Sequence, residues 1–292
     1  MPGTVERGRI HHPNGRIAPK RPGLISMLTI DSQTAHIWIL DLARISAQPS
    51  LLENYHPLLS EEEAARLQRF AFPKLQHHYL ATRAMVRTCL SRYADVAPQD
   101  WRFAQQQNGK PYLINSPLSF NLSHAGDRAV LAVTRDNLIG IDIEQLSRKR
   151  DWLGIAEHYF HGSEVDALNA LPEAQQHVHF FRLWTLKEAY LKARGTGIST
   201  GLDKAAFHLE HGRVNAQFAP ELAVEPSEWH FFNYQLGDEY SLSLAAHSAT
   251  SRTPPQLQFY QSWPLATDQH NEAPIDTLIN LLNEPVTEGQ LA

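Results

Sequence analysis

The stretch Gly140-Ile141-Asp142-Ile143-Glu144 sets two carboxylates in a segment whose isoleucines suit a buried strand. Side chains alternate along a strand, so Ile141 and Ile143 share one face and Asp142 and Glu144 the other, their Cα atoms roughly 6.5 Å apart. Two carboxylates so placed can converge on one hard cation or on one proton. The same alternation also describes an edge strand with a solvated acidic face, a common pattern in half-buried sheets. A second pair lies in Trp184-Thr185-Leu186-Lys187-Glu188-Ala189-Tyr190-Leu191-Lys192, where Glu188 and Lys192 are spaced i and i+4 and share a helix face. An exposed pair of this kind contributes only a few tenths of a kcal/mol. The aromatic and aliphatic setting leaves the Glu188 carboxylate two places, a solvent stripe or a site.

Ser123-His124 falls in a polar stretch, Ser123-His124-Ala125-Gly126-Asp127, that reads as a turn between two strands. Adjacent turn residues rarely aim at one another and no acid is placed to orient the imidazole, which argues against a nucleophile and its base. Hydroxyl, imidazole and backbone N–H groups in a turn suit an anion better, and a loop without chemistry is the plain alternative. The turn Asn108-Gly109-Lys110-Pro111 and the cations Arg66 and Arg83 can likewise hold phosphates, although each alone is ordinary surface charge. His11-His12 and His77-His78 lack the further ligands of a zinc site.

The elements that must position these residues follow from periodicity. His36 to Leu42 is apolar and β-branched enough for a buried strand. Ser60 followed by Glu61, Glu62 and Glu63 reads as a capping box that opens a helix toward Phe70, interrupted by Pro73. A second helix is expected over 75–93, with Arg83, Arg87 and Arg92 off its apolar face. Short strands are expected at 101–103, 112–114, 119–122 and 129–134, and Asp136-Asn137 turns the chain into the acidic strand. Arg148-Lys149-Arg150 reads as a solvated loop. Helices near 152–160 and 162–171 precede a long one over about 175–193, stopped by Gly195 and Gly197, with strands again at 206–209, 229–235 and 240–246. The fold class is α+β, two similar halves in a pseudo-twofold arrangement. Residues 1–26 read as a disordered leader or an over-long start ahead of Met27, 27–135 as the first half, and 136–248 as the second. Residues 249–292 read as an appendage with a short helix around 275–282.

The chain has 292 residues, 42% hydrophobic and 20% charged, enough for a large core. Twenty-six Lys and Arg against 31 Asp and Glu give a net charge of -5, so nothing global favours a polyanion and any phosphate recognition must be local. A single cysteine, Cys89, excludes an intramolecular disulfide framework and suits a reducing cytosol, and its apolar neighbours point to packing. No apolar run approaches the roughly 20 residues that span a bilayer, and no signal-peptide pattern is present.

Together, Asn108-Gly109-Lys110-Pro111, Phe120-Asn121-Leu122-Ser123-His124, Gly140 to Glu144 and Trp184 to Lys192 resemble, in order, the motifs of the Sfp-type 4′-phosphopantetheinyl transferases. The resemblance implies a pseudo-dimer of two α+β halves with the active site between them. It implies transfer of the phosphopantetheine arm of coenzyme A to a serine of an acyl or peptidyl carrier protein, with release of adenosine 3′,5′-bisphosphate. By motif match, Asp142, Glu144 and Glu188 hold Mg²⁺, Glu188 takes the serine proton directly or through water, and Lys192 stabilises the departing phosphate. Lys110, Pro111, Asn121, Ser123, His124, Arg66 and Arg83 fall where the family grips coenzyme A. A cytoplasmic monomer serving fatty acid, polyketide or nonribosomal peptide synthesis, with no nucleic acid or membrane partner, completes the expectation. The competing readings are a catalytically silent carrier- or coenzyme A-binding protein and a metal-dependent nucleotide phosphohydrolase using the same carboxylates with water as nucleophile.

Overall fold

A computed structural model describes residues 27–197, 201–210 and 212–265. The leader expected over 1–26 and the short helix expected around 275–282 lie outside the described residues. The chain opens with strand β1 (Thr34–Asp41), followed by α1 (Leu42–Ser46), α2 (Pro49–Glu53), α3 (Glu61–Leu67) and α4 (Pro73–Leu90). The Ser60–Glu63 capping box forms as expected: the Ser60 hydroxyl accepts from the Glu63 N–H, and the Glu63 carboxylate accepts from the Ser60 N–H. Pro73 is the first residue of α4, where its missing N–H has no intrahelical partner to lose. Then come the ribbon β2 (Phe103–Gln105) and β3 (Pro111–Leu113) and the hairpin β4 (Leu118–Ala125) and β5 (Arg128–Arg135).

The same sequence of parts then repeats. Strand β6 (Leu138–Gln145) leads through α5 (Trp152–Tyr159) and α6 (Gly162–Ala170) to the long α7 (Glu173–Arg194). The ribbon β7 (Ala205–Glu210) and β8 (Arg213–Phe218) follows, then the hairpin β9 (Trp229–Leu236) and β10 (Tyr240–His247). In the first half the strand order is β1-β5-β4 and in the second β6-β10-β9, so in each the opening strand pairs with the second arm of the later hairpin. This is the pseudo-dimer of two α+β halves. A last strand, β11 (Gln256–Gln261), lies within the stretch read as an appendage and pairs parallel with β1 at the edge of the first sheet.

Three cores hold the molecule. Trp38, Leu40, Leu131 and Val133 of the first sheet bury against α4, and the second sheet and α7 enclose Phe180, Leu186, Tyr190 and Phe207. Between the halves, Ile37, Ile39 and Val130 meet Ile139, Ile141, Ile143, Leu242 and Leu244. Burying such side chains stabilises by about 1.5–3 kcal/mol each. The alternation of β6 therefore sends its isoleucines into the junction of the halves and turns Asp142 and Glu144 to its other face, where α7 crosses. Gly140 makes that crossing close: a Cβ there would fall 2.0 Å from the Ala189 carbonyl oxygen of α7.

Candidate active site

Strand β4 runs beside β6 without a backbone ladder, and side chains take its place. The Asn121 amide oxygen accepts from the Ile141 N–H at 2.8 Å, and the Ser123 hydroxyl accepts from the Ile143 N–H at 3.4 Å. These bonds satisfy backbone donors that burial would otherwise strand. They also place Ser123 over Asp142: its hydroxyl donates to Asp142 Oδ1 at 2.8 Å.

Ser123 and His124 are not turn residues. They are paired with Val130 and Ala129 inside the β4–β5 ladder, and the turn is confined to Gly126 and Asp127. Alternation then points them to opposite faces, which removes any nucleophile and base pairing. Ser123 is buried and His124 exposed. Partial desolvation first, and then the Lys192 and Arg83 cations, push the His124 imidazole pKa below its ordinary value.

From α7, Lys192 donates to Asp142 Oδ1 at 2.5 Å and to the Ser123 hydroxyl at 2.9 Å. One turn earlier, Glu188 faces the same cleft. Among the described residues Glu188 has no ion pair, its Oε1 is buried without a hydrogen-bond partner, and so is Asp142 Oδ2. Burial first, then the neighbouring Asp142 carboxylate, raises the Glu188 carboxyl to about 7. Glu144 is differently placed: its Oε1 accepts from Arg150 at 2.9 Å and its Oε2 from Arg148 at 3.3 Å. The basic run expected to be a solvated loop thus supplies two partners to the acidic strand. The three carboxylates line one cleft, of about 400 Å³, with Ser123, His124, Arg148, Trp184 and Lys192. No three His, Cys, Asp or Glu side chains among the described residues are gathered closely enough to form a metal site by themselves.

Lys110 reaches α7 near its C-terminal end. Its ammonium donates to the carbonyls of Ile139 at 3.2 Å and Ala193 at 2.7 Å, and burial lowers its pKa to about 8. It lines a cavity of about 240 Å³ with Asn108, Pro111, Asn121, Glu188 and Lys192. Arg66 and Arg83 line a larger chamber, of about 940 Å³, which also borders Pro111. Their guanidinium carbons lie 5.6 and 5.7 Å from the Tyr79 ring, and Arg83 is within 4.0 Å of Glu63. Arg87, expected off the apolar face of its helix, is 2% exposed and tied to Glu63, Pro98 and Trp101, so it braces the chamber wall.

Lys187 of α7 and Glu164 of α6 carry no sequence signal beyond their charge. Lys187 Nζ meets Glu164 at 2.7 Å and donates to the carbonyls of Leu202 and Ala205, while Glu164 accepts from the Phe207 N–H at 2.8 Å. This fully buried pair joins α6, α7 and β7, and with Thr185 on Ser241 and Ser243 it fixes the rotation that points Glu188 into the cleft.

Comparison with known proteins identifies the family. The family model described as the 4′-phosphopantetheinyl transferase superfamily matches residues 138–245, and that of the 4′-phosphopantetheinyl transferase N-terminal region matches 46–136. The chain is 38% identical to the 4′-phosphopantetheinyl transferase HetI of Nostoc sp. over 62% of this chain and 75% of that protein. It is 31% identical to the 4′-phosphopantetheinyl transferase Sfp of Bacillus subtilis over 66% of this chain and 84% of that protein. With a phosphopantetheinyl transferase of Thraustochytrium sp. it shares 30% identity over 75% of this chain and 82% of the relative. With both repeated halves matched by the family's models and relatives 30–38% identical over much of its length, this chain belongs to the 4′-phosphopantetheinyl transferase superfamily.

Proposed function

We propose that this protein transfers the 4′-phosphopantetheine arm of coenzyme A to a serine hydroxyl of an acyl or peptidyl carrier protein, releasing adenosine 3′,5′-bisphosphate. The observation that carries the reading is a run of adjoining cavities. The arginine-lined chamber shares Pro111 with the Lys110 cavity, which shares Glu188 and Lys192 with the carboxylate cleft. A nucleotide with charged phosphates at one end and a reacting pyrophosphate at the other suits that order. Arg66, Arg83 and His124 would meet the nucleotide phosphates. Lys110 and Lys192 each have two N–H donors engaged, leaving one of the three that an ammonium carries for a phosphate oxygen. Asn121 and Ser123 act through the seam: their side chains set β6 and, through it, Asp142.

The unpartnered oxygens of Asp142 and Glu188 fit a hard, oxygen-seeking cation, and with Glu144 beside them these residues would hold Mg²⁺ against the pyrophosphate. Bound there, the ion would offset the negative charge that develops on the pyrophosphate. Glu188, directly or through water, takes the proton of the attacking serine. The serine oxygen bonds to the β-phosphorus of coenzyme A as the bond from that phosphorus to the bridging oxygen breaks, and Lys192 stabilises the charge left on the departing phosphate. The buried thiol of Cys89, pushed up to about 12 by its surroundings, takes no part. No helix among the described residues is long and apolar enough to cross a membrane. A cytoplasmic monomer serving carriers of fatty acid, polyketide or nonribosomal peptide synthesis completes the proposal, as the family resemblance implies.

The test is to compare the parent with Glu188→Gln. Loss of general base catalysis removes about 10²–10⁴-fold of the transfer rate. Calorimetric affinity for coenzyme A in the absence of divalent metal should stay close to the parent value. Near-parental turnover by the variant would remove Glu188 from the mechanism.

A further inference from the structure

The three carboxylates of the cleft are not equivalent. Asp142 is matched by Lys192, Glu188 has no ion pair among the described residues, and Glu144 alone has both oxygens occupied by cations. Its two partners also differ. Arg150 is 17% exposed, its guanidinium carbon lies 5.3 Å from the Trp184 ring of α7, and its bond to Oε1 is the shorter at 2.9 Å. Arg148 is 57% exposed and sits on Oε2 at 3.3 Å. A guanidinium stacked on an indole and largely removed from solvent is pre-organised and costly to move, whereas an exposed one on a longer contact exchanges readily with water and ions. Strand β6 and helix α7 are therefore bridged by Glu144, Arg150 and Trp184, with Arg148 as a loose outer partner.

We propose that Arg150 is a positioning residue that holds Glu144 toward the cleft by Oε1, and that Arg148 occupies Oε2 as a placeholder which a divalent cation displaces. The inference rests on the reading of Asp142, Glu144 and Glu188 as metal ligands and deepens it. Only two of the three carboxylates present unpartnered oxygens, and the third joins them when Arg148 leaves. The arginine run is then part of the active site, with one cation that stays and one that is exchanged. Released at the mouth of the cleft, the Arg148 guanidinium becomes free for a second anionic group.

The two arginines make opposite predictions, which simple charge does not. Removing any cation beside a metal site relieves repulsion, so a purely electrostatic role has both substitutions tighten metal binding. In the proposed arrangement Arg148→Gln tightens it several-fold, because Oε2 no longer has to be vacated. Arg150→Gln weakens it by about 10-fold or more, the usual cost of losing the partner that orients a ligand. The experiment titrates Mn²⁺ into the full-length protein with bound coenzyme A and reads free ion by its EPR signal, against a coenzyme A blank. Asp142→Asn marks loss of the site. A further arm repeats Arg148→Gln in a Glu144→Gln background, where its effect should vanish; Arg148 is exposed, so this arm does not depend on Arg150→Gln folding. Tightening by both arginine variants, no change in either, or an Arg148→Gln effect that persists without Glu144 overturns the proposal and leaves the metal site standing. A parent that takes up no Mn²⁺ beyond the blank overturns the metal reading itself, and the proposal with it.

Discussion

Residue type and spacing single out Asp142, Glu188 and Lys192, because a strand period and a helix period each put two charged groups on one face, but a solvated face fits the same spacing and only the motif resemblance gives them roles. Arg150 is not singled out. Its partner Glu144 is six residues earlier and its stacking partner Trp184 belongs to another element, so only the folded chain relates the three. Ser123 and His124 read as turn residues because serine, glycine and aspartate in that stretch favour turns, whereas pairing with β5 extends the strand through them. Buried His36 is another residue whose state depends on tertiary contacts. Trp38 donates its indole N–H to the Tyr93 hydroxyl at 2.8 Å, which leaves the hydroxyl proton for His36 Nδ1 at 2.9 Å, the arrangement of a neutral imidazole. Burial lowers its pKa from 6.5 to about 4. The unfolded chain therefore takes up the proton first as pH falls. Stability is fully present above the unfolded value and is lost toward the folded one, at a limiting slope of about 1.4 kcal/mol per pH unit. Urea unfolding of His36→Gln should show a shallower loss than the parent between pH 6.5 and 5; equal slopes would assign that pH dependence to other groups.

Most helices and strands with a buried face are readable between β1 and β10, since the hydrophobic pattern that marks them is the one that folds them, but α1 and α2, of five residues each, are too short to show a helical period. Strand β8, with half-exposed side chains in a two-stranded ribbon, has no such face, and β11 finds its partner in β1, more than two hundred residues earlier, where no local pattern reaches. The capping signal of α3 and the stop signal of α7 are legible in the sequence because they act within one turn. Gly195 ends α7 in the left-handed region at φ 67, which an L residue adopts only under strain. The Lys187–Glu164 pair was hidden in a helix whose charges look solvated, although Lys187 is 1% exposed. Removing one member leaves the other charged and buried, so Lys187→Met should lower unfolding free energy by about 3–5 kcal/mol. A denaturation midpoint equal to the parent's would contradict this. Gly140→Ala tests the packing of β6 on α7 in turn. Its Cβ has the Ala189 carbonyl and the Ala193 backbone in its way, so the two elements must separate, carrying Asp142 away from Lys192. A variant with parental thermal stability and parental transfer would show that this approach is not needed.

The molecule as a whole is a repeated α+β unit in which neither half holds the proposed site alone. The first half contributes Arg66, Arg83, Lys110, Asn121, Ser123 and His124, the second Asp142, Glu144, Glu188 and Lys192, and the Asn121 and Ser123 side chains close the seam between them. Hydrophobic packing of the two sheets sets the distance across that seam, and the strand alternation that fills the junction with isoleucine also exposes the acids to α7. The repeat was visible in the sequence only as a similar order of parts, because the strands share topology and not residues. The most direct measurement of the central claim is the intact mass of an apo acyl or peptidyl carrier protein incubated with the purified protein, coenzyme A and Mg²⁺. The result expected is a gain of one phosphopantetheine arm, localised to a carrier serine and abolished by a chelator. No gain on any of a panel of acyl and peptidyl carriers, or release of 4′-phosphopantetheine from coenzyme A without a carrier, would contradict it.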